Sequence, residues 1–183
     1  MKRFLLLFLA TVVTAWSASA QLSVSQLRTE HLTDPVGIGE RRPLLSWEVS
    51  DASRRGVTQS AYEIRVKSGG RTVWRTGKVA SAESAGVFYD GTPLTSDTRY
   101  TWQVRVWDDR GKASAWSRPA FWRTGLFDVG EWQARWIEPA VSDDLAAMFR
   151  RTFRVTKPVA EATVYVTAHG IYEASVNGHR VSD

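Results

Sequence analysis

Ten residues constrain this chain more than any others: Arg99 to Asp108, reading Arg-Tyr-Thr-Trp-Gln-Val-Arg-Val-Trp-Asp. Tyr100, Trp102, Val104 and Val106 share one parity; Thr101, Gln103, Arg105 and Trp107 share the other. That unbroken period of two predicts a half-buried strand with the first set turned to a core. Asp109, Arg110 and Gly111 break it with turn chemistry, and the apolar run Trp116 to Trp122 is placed to return as a hairpin partner. The pair reads as the last hairpin of a β-sandwich. It specifies a fold and carries no reaction.

The rest of the chain agrees. Val24 to Leu32 alternates weakly and predicts a first strand, while Asp34-Pro35 and Gly37-Ile38-Gly39 are turn material. Leu45, Trp47 and Val49 share a face. Between Ala61 and Lys67, Tyr62, Ile64 and Val66 are expected inside, and Glu63, Arg65 and Lys67 outside. Gly69-Gly70 is a hairpin turn returning through Thr72 to Thr76, and Val87-Phe88-Tyr89 is a short strand. About seven short strands at intervals of roughly 8–12 residues, with no helical period, predict an all-β sandwich.

The 183 residues exceed one such domain, and 43% hydrophobic residues can fill its core. The nine Trp either fill the space between sheets or, on an open face, stack on sugars; core packing is expected of each taken singly. With no Cys, burial alone holds the sheets. Met1-Lys2-Arg3, the apolar run Phe4 to Val13 and Ala18-Ser19-Ala20 read as a signal peptide over residues 1–20, making Gln21 the first mature residue and the location secreted or periplasmic. Without Lys2 and Arg3, 22 basic residues stand against 19 acidic ones, a net of +3. That excess, scattered along the chain, predicts a solvated surface, no nucleic-acid partner, and no membrane partner once the leader is removed.

Gly125 to Gly130 marks a change of character, which divides the mature chain into residues 21–127 and 128–183. Beyond it, Phe149 to Val155 and Ala162 to Ala168 read as strands. Tyr172, Ala174 and Val176 begin another, and Asn177-Gly178 is a type I′ hairpin turn. So few strands do not close a sandwich, so the second domain is expected to be incomplete.

Pro43-x-Leu45-x-Trp47 resembles the second strand of fibronectin type III domains, and Leu94, Thr98 and Tyr100 resemble that family's leucine–tyrosine corner. Trp116-Ser117 with Arg105 is similar to the Trp–Arg ladders of fibronectin-like domains, where guanidinium stacks on indole. The order of segments is more specific. Leu27-Arg-Thr-Glu30-His31-Leu32 comes first, then Trp132-Gln-Ala-Arg-Trp136-Ile137, Phe149-Arg-Arg-Thr-Phe153, and finally Gly170-Ile-Tyr-Glu-Ala-Ser-Val-Asn177-Gly178-His-Arg-Val181. Together they resemble the amino-terminal portion of secreted bacterial α-L-rhamnosidases. The resemblance implies a fibronectin- or immunoglobulin-like sandwich followed by the start of a second, in front of a catalytic domain further along. That domain would hydrolyse terminal α-L-rhamnosides with inversion, using two carboxyl groups roughly 6.5–9.5 Å apart. No position here matches the catalytic motif, so no catalytic residue is assigned. The implied partners are the downstream domains and rhamnose-containing glycans.

Independent of that resemblance, no metalloprotease, nucleophile-elbow, phosphate-loop or dinucleotide motif is present, and no cofactor is expected. His31, His169 and His179 lack metal-ligand spacing and read as strand or loop residues. Asp108-Asp109 and Asp143-Asp144 are paired acids at expected loops. Solvated turns are the expectation, with a calcium site as the alternative. Tyr172 is expected in a core. Trp107 faces away from the first core; packing beneath a neighbouring domain is expected of it, with an exposed ring as the alternative. Two other functions stay open: a freestanding carbohydrate-binding or adhesion module, and a protein–protein interaction sandwich.

Overall fold

The structure is a computed structural model that describes residues 22–140 and 146–181. The leader 1–20, Gln21 and the acidic pair Asp143-Asp144 lie outside the described residues. The chain divides between Ala134 and Arg135 into two units.

The first unit carries eight strands: β1 (Ser23–Thr29), β2 (Val36–Ile38), β3 (Leu44–Ser50), β4 (Gln59–Ser68), β5 (Arg71–Arg75), β6 (Val87–Phe88), β7 (Arg99–Asp108) and β8 (Ala120–Thr124). They form two sheets, ordered β1-β3-β6 and β2-β8-β7-β4-β5. This is an immunoglobulin-like sandwich with β4 and β7 at its centre. Their antiparallel register runs from Gln59 opposite Asp108 to Ser68 opposite Tyr100. The predicted parity holds. Tyr62, Ile64 and Val66 on β4 and Tyr100, Trp102, Val104 and Val106 on β7 are buried against Leu45, Trp47, Tyr89 and Trp122. Each aliphatic side chain buried this way contributes about 1.5–3 kcal/mol.

Aromatic contacts tie the layers together. Tyr100 stacks on Trp122 at 5.4 Å, Tyr89 meets Trp122 edge-on at 5.8 Å, and Trp47 meets Tyr62 edge-on at 5.3 Å. The corner is built as its residues suggest: Leu94 is buried and the Tyr100 hydroxyl accepts the Thr95 amide at 3.0 Å. Gly69-Gly70 turns β4 into β5 with φ of 53° and 80°. Gly91 has a steric role: a Cβ there would lie 2.5 Å from both the Trp74 Cβ and the Tyr89 hydroxyl.

Two local readings need correction, and a third, the first strand, is borne out and explained. The weak alternation of the first strand has a cause. Register shifts between Ser25 and Arg28 at a bulge where Gln26 takes φ 49°, so Leu22 and Val24 precede it on the core side and Leu27 and Thr29 follow. The expected turn around Gly37 is instead β2. The chain leaves β1 through left-handed Glu30, His31 and Asp34, then pairs parallel with β8, Val36 opposite Arg123. The amino-terminal segment thus joins both sheets and covers an edge of the second. The expected return strand Trp116 to Trp122 is regular only in β8, which pairs with Arg99 to Trp102.

Serines replace the missing ladder. Ser114 and Ser117 donate their amides to the Val106 and Val104 carbonyls, each at 2.8 Å. Their hydroxyls accept the Val106 and Val104 amides at 3.0 and 3.1 Å. A short polar side chain can thus stand in for a strand carbonyl.

The sandwich ends in a 3₁₀ turn, Val129–Glu131. The Glu131 carboxylate accepts the Ser96 hydroxyl at 2.6 Å and the Phe127 and Asp128 amides at 2.9 and 3.0 Å. This ties the turn to the corner before β7.

In the second unit the regular pairing among the described residues is one hairpin, β9 (Ser175–Val176) with β10 (His179–Arg180). Asn177 and Gly178 have φ of 51° and 79°, the two positive values of a type I′ turn. The expected strands Phe149 to Val155 and Ala162 to Ala168 are not formed. Alternation supplies a face, whereas a strand also needs a hydrogen-bonded neighbour. Phe153, Val164 and Val166 are exposed here.

Candidate functional site

β4 and β7 carry Arg65, Arg105 and Trp107 on the face opposite the core, and the segment after β7 lays Trp116 over them. Arg65 stacks on Trp116 at 4.2 Å, Arg105 lies 4.9 Å from Trp116 and 5.0 Å from Trp107, and Lys78 caps Trp107 at 4.7 Å. Cations and rings alternate, which confirms the Arg–Trp ladder anticipated at Arg105 and Trp116. Trp107 is not an exposed ring, the alternative reading of its outward parity. It is only 9% exposed, because Lys78 and Arg105 lay their aliphatic stems and charges over the indole.

Glu63 was expected outside, and on parity it is. Yet it is buried, its carboxylate held by Arg75 Nε at 2.6 Å and Arg105 Nε at 2.7 Å. Desolvation pushes its pKa up, but the hydrogen bonds and charges of the two guanidiniums together outweigh that and leave it below the usual glutamate value. Arg65 also donates from Nε and Nη2 to Gln103 Oε1, and Gln103 donates to the Ser117 carbonyl at 2.7 Å. The ladder is therefore fixed to the serine-braced segment below it.

The Asp108-Asp109 pair does form a turn with Asp109 exposed, but Asp108 departs from the expected solvated residue. Asp108 is buried, and its Oδ1 accepts the Lys112 and Arg110 amides at 2.8 and 3.0 Å. Its Oδ2 pairs with Arg54 at 3.0 Å, while Asp109 takes the other Arg54 nitrogen at 2.7 Å. These contacts, the Lys112 amide foremost, lower the Asp108 pKa. The carboxylates thus organise a turn around the Arg54 guanidinium. Among the described residues, no group of three His, Asp or Glu lies close enough to hold a metal ion.

His31 sits in the left-handed turn after β1, and His179 lies exposed on β10. His169 stacks on Trp136 at 4.1 Å with Trp136 still 64% exposed. Tyr172, expected in a core, is exposed beside the β9–β10 hairpin. A shallow cleft of about 260 Å³ is lined by Arg41, Arg42, Tyr89, Asp90, Pro93 and Leu94. Its charges are already answered, Arg42 by Asp90 at 3.2 Å and Arg41 by Asp128 at 3.1 Å.

Sequence reasoning missed how the cations gather. Residues that look scattered along the chain fall on one sheet face once β4, β5, β7 and β8 are in register. Parity alone put Arg65, Lys67 and Arg105 outward; what it could not supply was the register that brings their strands side by side.

Comparison with known proteins adds the family context. The family described as "Rha78A-like, N-terminal immunoglobulin domain" matches residues 24–128. An α-L-rhamnosidase of Streptomyces avermitilis is 37% identical over 190 aligned residues, covering 88% of this chain and 18% of that protein. One from Formosa agariphila is 34% identical, covering 82% of this chain and 19% of its own length. The chain therefore spans about a fifth of the curated relatives it matches. Among solved structures, the Streptomyces avermitilis α-L-rhamnosidase complexed with L-rhamnose superposes with a TM-score of 0.62 at 43% identity, over 66% of this chain and 12% of that one. The α-L-rhamnosidase from Dictyoglumus thermophilum gives 0.60 at 33% identity, over 63% of this chain and 14% of that one.

Proposed function

The chain belongs to the family of Rha78A-like N-terminal immunoglobulin domains, and from that premise we propose that it is the non-catalytic front of an exported α-L-rhamnosidase. Its work is to pack against and orient the domains that cleave terminal α-L-rhamnosides. The observation that carries this reading is the mismatch of coverage: relatives named α-L-rhamnosidase align along more than four-fifths of this chain, which accounts for under a fifth of their length. The described surface supports it, because its buried carboxylates are engaged by arginines and backbone amides. Export rests on the basic start, apolar run and small-residue cleavage site of residues 1–20.

The test is rhamnose release from an aryl α-L-rhamnoside by residues 21–183 alone and by a longer chain carrying the downstream domains. Release by the longer chain only is the expected result. Turnover at enzymatic speed by residues 21–183 alone overturns the proposal.

A second reading, a sugar-binding module, has one observation in its favour: the exposed Trp136 ring stacked on His169. Titration with L-rhamnose while following Trp fluorescence discriminates it. A saturable change that Trp136→Ala abolishes supports binding, and a flat titration removes it.

A further inference from the structure

We propose that the outer face of the β2-β8-β7-β4-β5 sheet is a docking surface for an acidic polysaccharide, one whose sugar units carry carboxylates. The face collects Arg65 and Lys67 from β4, Arg75 from β5, Arg99 and Arg105 from β7, and Arg123 from β8. Register places them side by side: Arg65 opposite Arg75, and Arg99 opposite Arg123. Against these six cations the same face has Glu63, buried beneath Arg75 and Arg105, and Asp97 at its border, paired with Arg123 at 2.7 Å.

Two features separate this face from an ordinary solvated one. Like charges directly opposite on neighbouring strands work against a sheet, and this sheet places two arginine pairs so. Glu63 answers Arg75 and Asp97 answers Arg123, which leaves Arg65 and Arg99, stacked on Trp116 and Phe121, as the member of each pair with no carboxylate partner among the described residues. Second, the guanidiniums are held in place. Arg99 lies 3.7 Å from the Phe121 ring centroid, and Arg65 and Arg105 are clamped by Trp116. Stacking immobilises the plane; the edges of Arg65 and Arg105 also serve Gln103 and Glu63, while Arg99 keeps its N–H edge open, so little side-chain freedom remains to be lost on binding. The anion already gripped here is a carboxylate: Glu63 is held by two guanidiniums at 2.6 Å. A row of uronate carboxylates extends that same chemistry across the open part of the face.

The choice of a polysaccharide over a nucleic acid rests on the exported, carbohydrate-directed reading above; the cationic surface itself does not. Affinity electrophoresis of residues 21–183 through polygalacturonate, through its neutral methyl ester and through a gel containing duplex DNA separates these. The expected result is retardation by polygalacturonate alone, fading as salt rises from about 0.05 to 0.5 M because exposed charges are screened. Lys67→Glu and Arg99→Gln should each weaken retention about fivefold or more, with unchanged Trp fluorescence showing that the fold survives. Arg55→Glu, an exposed change in the loop before β4, should weaken it less than twofold.

Absence of retardation by any polyanion, or equal loss in Arg55→Glu and Lys67→Glu, overturns the surface. Retardation by DNA matching that by polygalacturonate overturns the choice of partner. None of these outcomes bears on rhamnose release by the longer chain, so the two proposals fail separately.

Discussion

The two units of this chain begin from the same kind of sequence and arrive at different structures. Both contain runs with period two. In the first, β4 and β7 share a ladder that is continuous from Ala61 to Ser68, and Ile64, Val66, Val104 and Val106 lose all contact with solvent. In the second, Ala162 to Ala168 alternates as well, yet Val164 and Val166 stay open, and the pairing that forms is the short hairpin whose turn is dictated locally by Asn177-Gly178. Periodicity decides which face of a segment is apolar. Whether that face is buried depends on non-local partners, whose loop-closure cost must be met before any area is gained.

That difference predicts its largest effect in hydrogen exchange of the intact chain. Amides of β4 and β7 should exchange only on global unfolding, about 5 kcal/mol or more above the native state, while amides between Phe149 and Ala168 should exchange at near-intrinsic rates. Strong protection in the later segment would show that its strands find partners and would erase the contrast. Truncation sharpens the same point. Trp102→Ala, deep between the sheets, should cost about 3–5 kcal/mol in urea unfolding, whereas Ile171→Ala, fully exposed, should stay within about 0.5 kcal/mol. Comparable losses at both sites would mean that the second unit has a core after all.

Smaller effects probe how the first unit reached its density. Gly91→Ala pushes a methyl against the Trp74 Cβ and the Tyr89 hydroxyl, which itself donates to the Thr92 carbonyl at 2.7 Å. Overpacking there should cost about 1–3 kcal/mol, read as a lowered urea midpoint with an unchanged slope. Ser117→Ala removes the hydroxyl that serves the Val104 amide. It should cost about 1–2 kcal/mol, because a buried amide is left unpaired. If Ser117→Ala were neutral, the serine-braced segment would be an ornament on β7 and not a substitute for its missing partner.

What could be read in the sequence follows the same division. The β7 core face, the Gly69-Gly70 hairpin and the tyrosine corner depend on residues close in sequence, and each was legible. The bulge at Gln26 was not, since nothing about glutamine announces a left-handed residue. Nor was the burial of Glu63 and Trp107, because each is covered by side chains from elsewhere: Arg75 over the acid, Lys78 over the ring. Asp108-Asp109 looked like a wet turn because Arg54, which fills it, lies more than fifty positions earlier. The candidate surface was the least legible feature. Six cations on four strands share a face only after the register of all four is known.

The finest test of that face is acid. Glu63 titrates below the usual glutamate value because Arg75 and Arg105 stabilise its charged form more than burial penalises it. A carboxyl whose folded pKa lies below its unfolded one contributes stability that is fully present above the unfolded value, and that contribution is lost as pH falls through the folded value. Stability should therefore be insensitive to Glu63 from neutral pH down to about 5 and decline below that. Asp108 is lowered too and titrates in the same window, so the wild-type slope alone does not isolate Glu63. The difference between wild type and Glu63→Gln does. Glutamine keeps the shape but carries no charge, so the gap in urea midpoint between the two proteins should be widest at neutral pH and close as the medium approaches pH 3. A gap that is constant across that range would mean the two arginines contribute geometry alone. The outer face would then owe its order to the stacked rings, with no electrostatic tie to the sheet beneath.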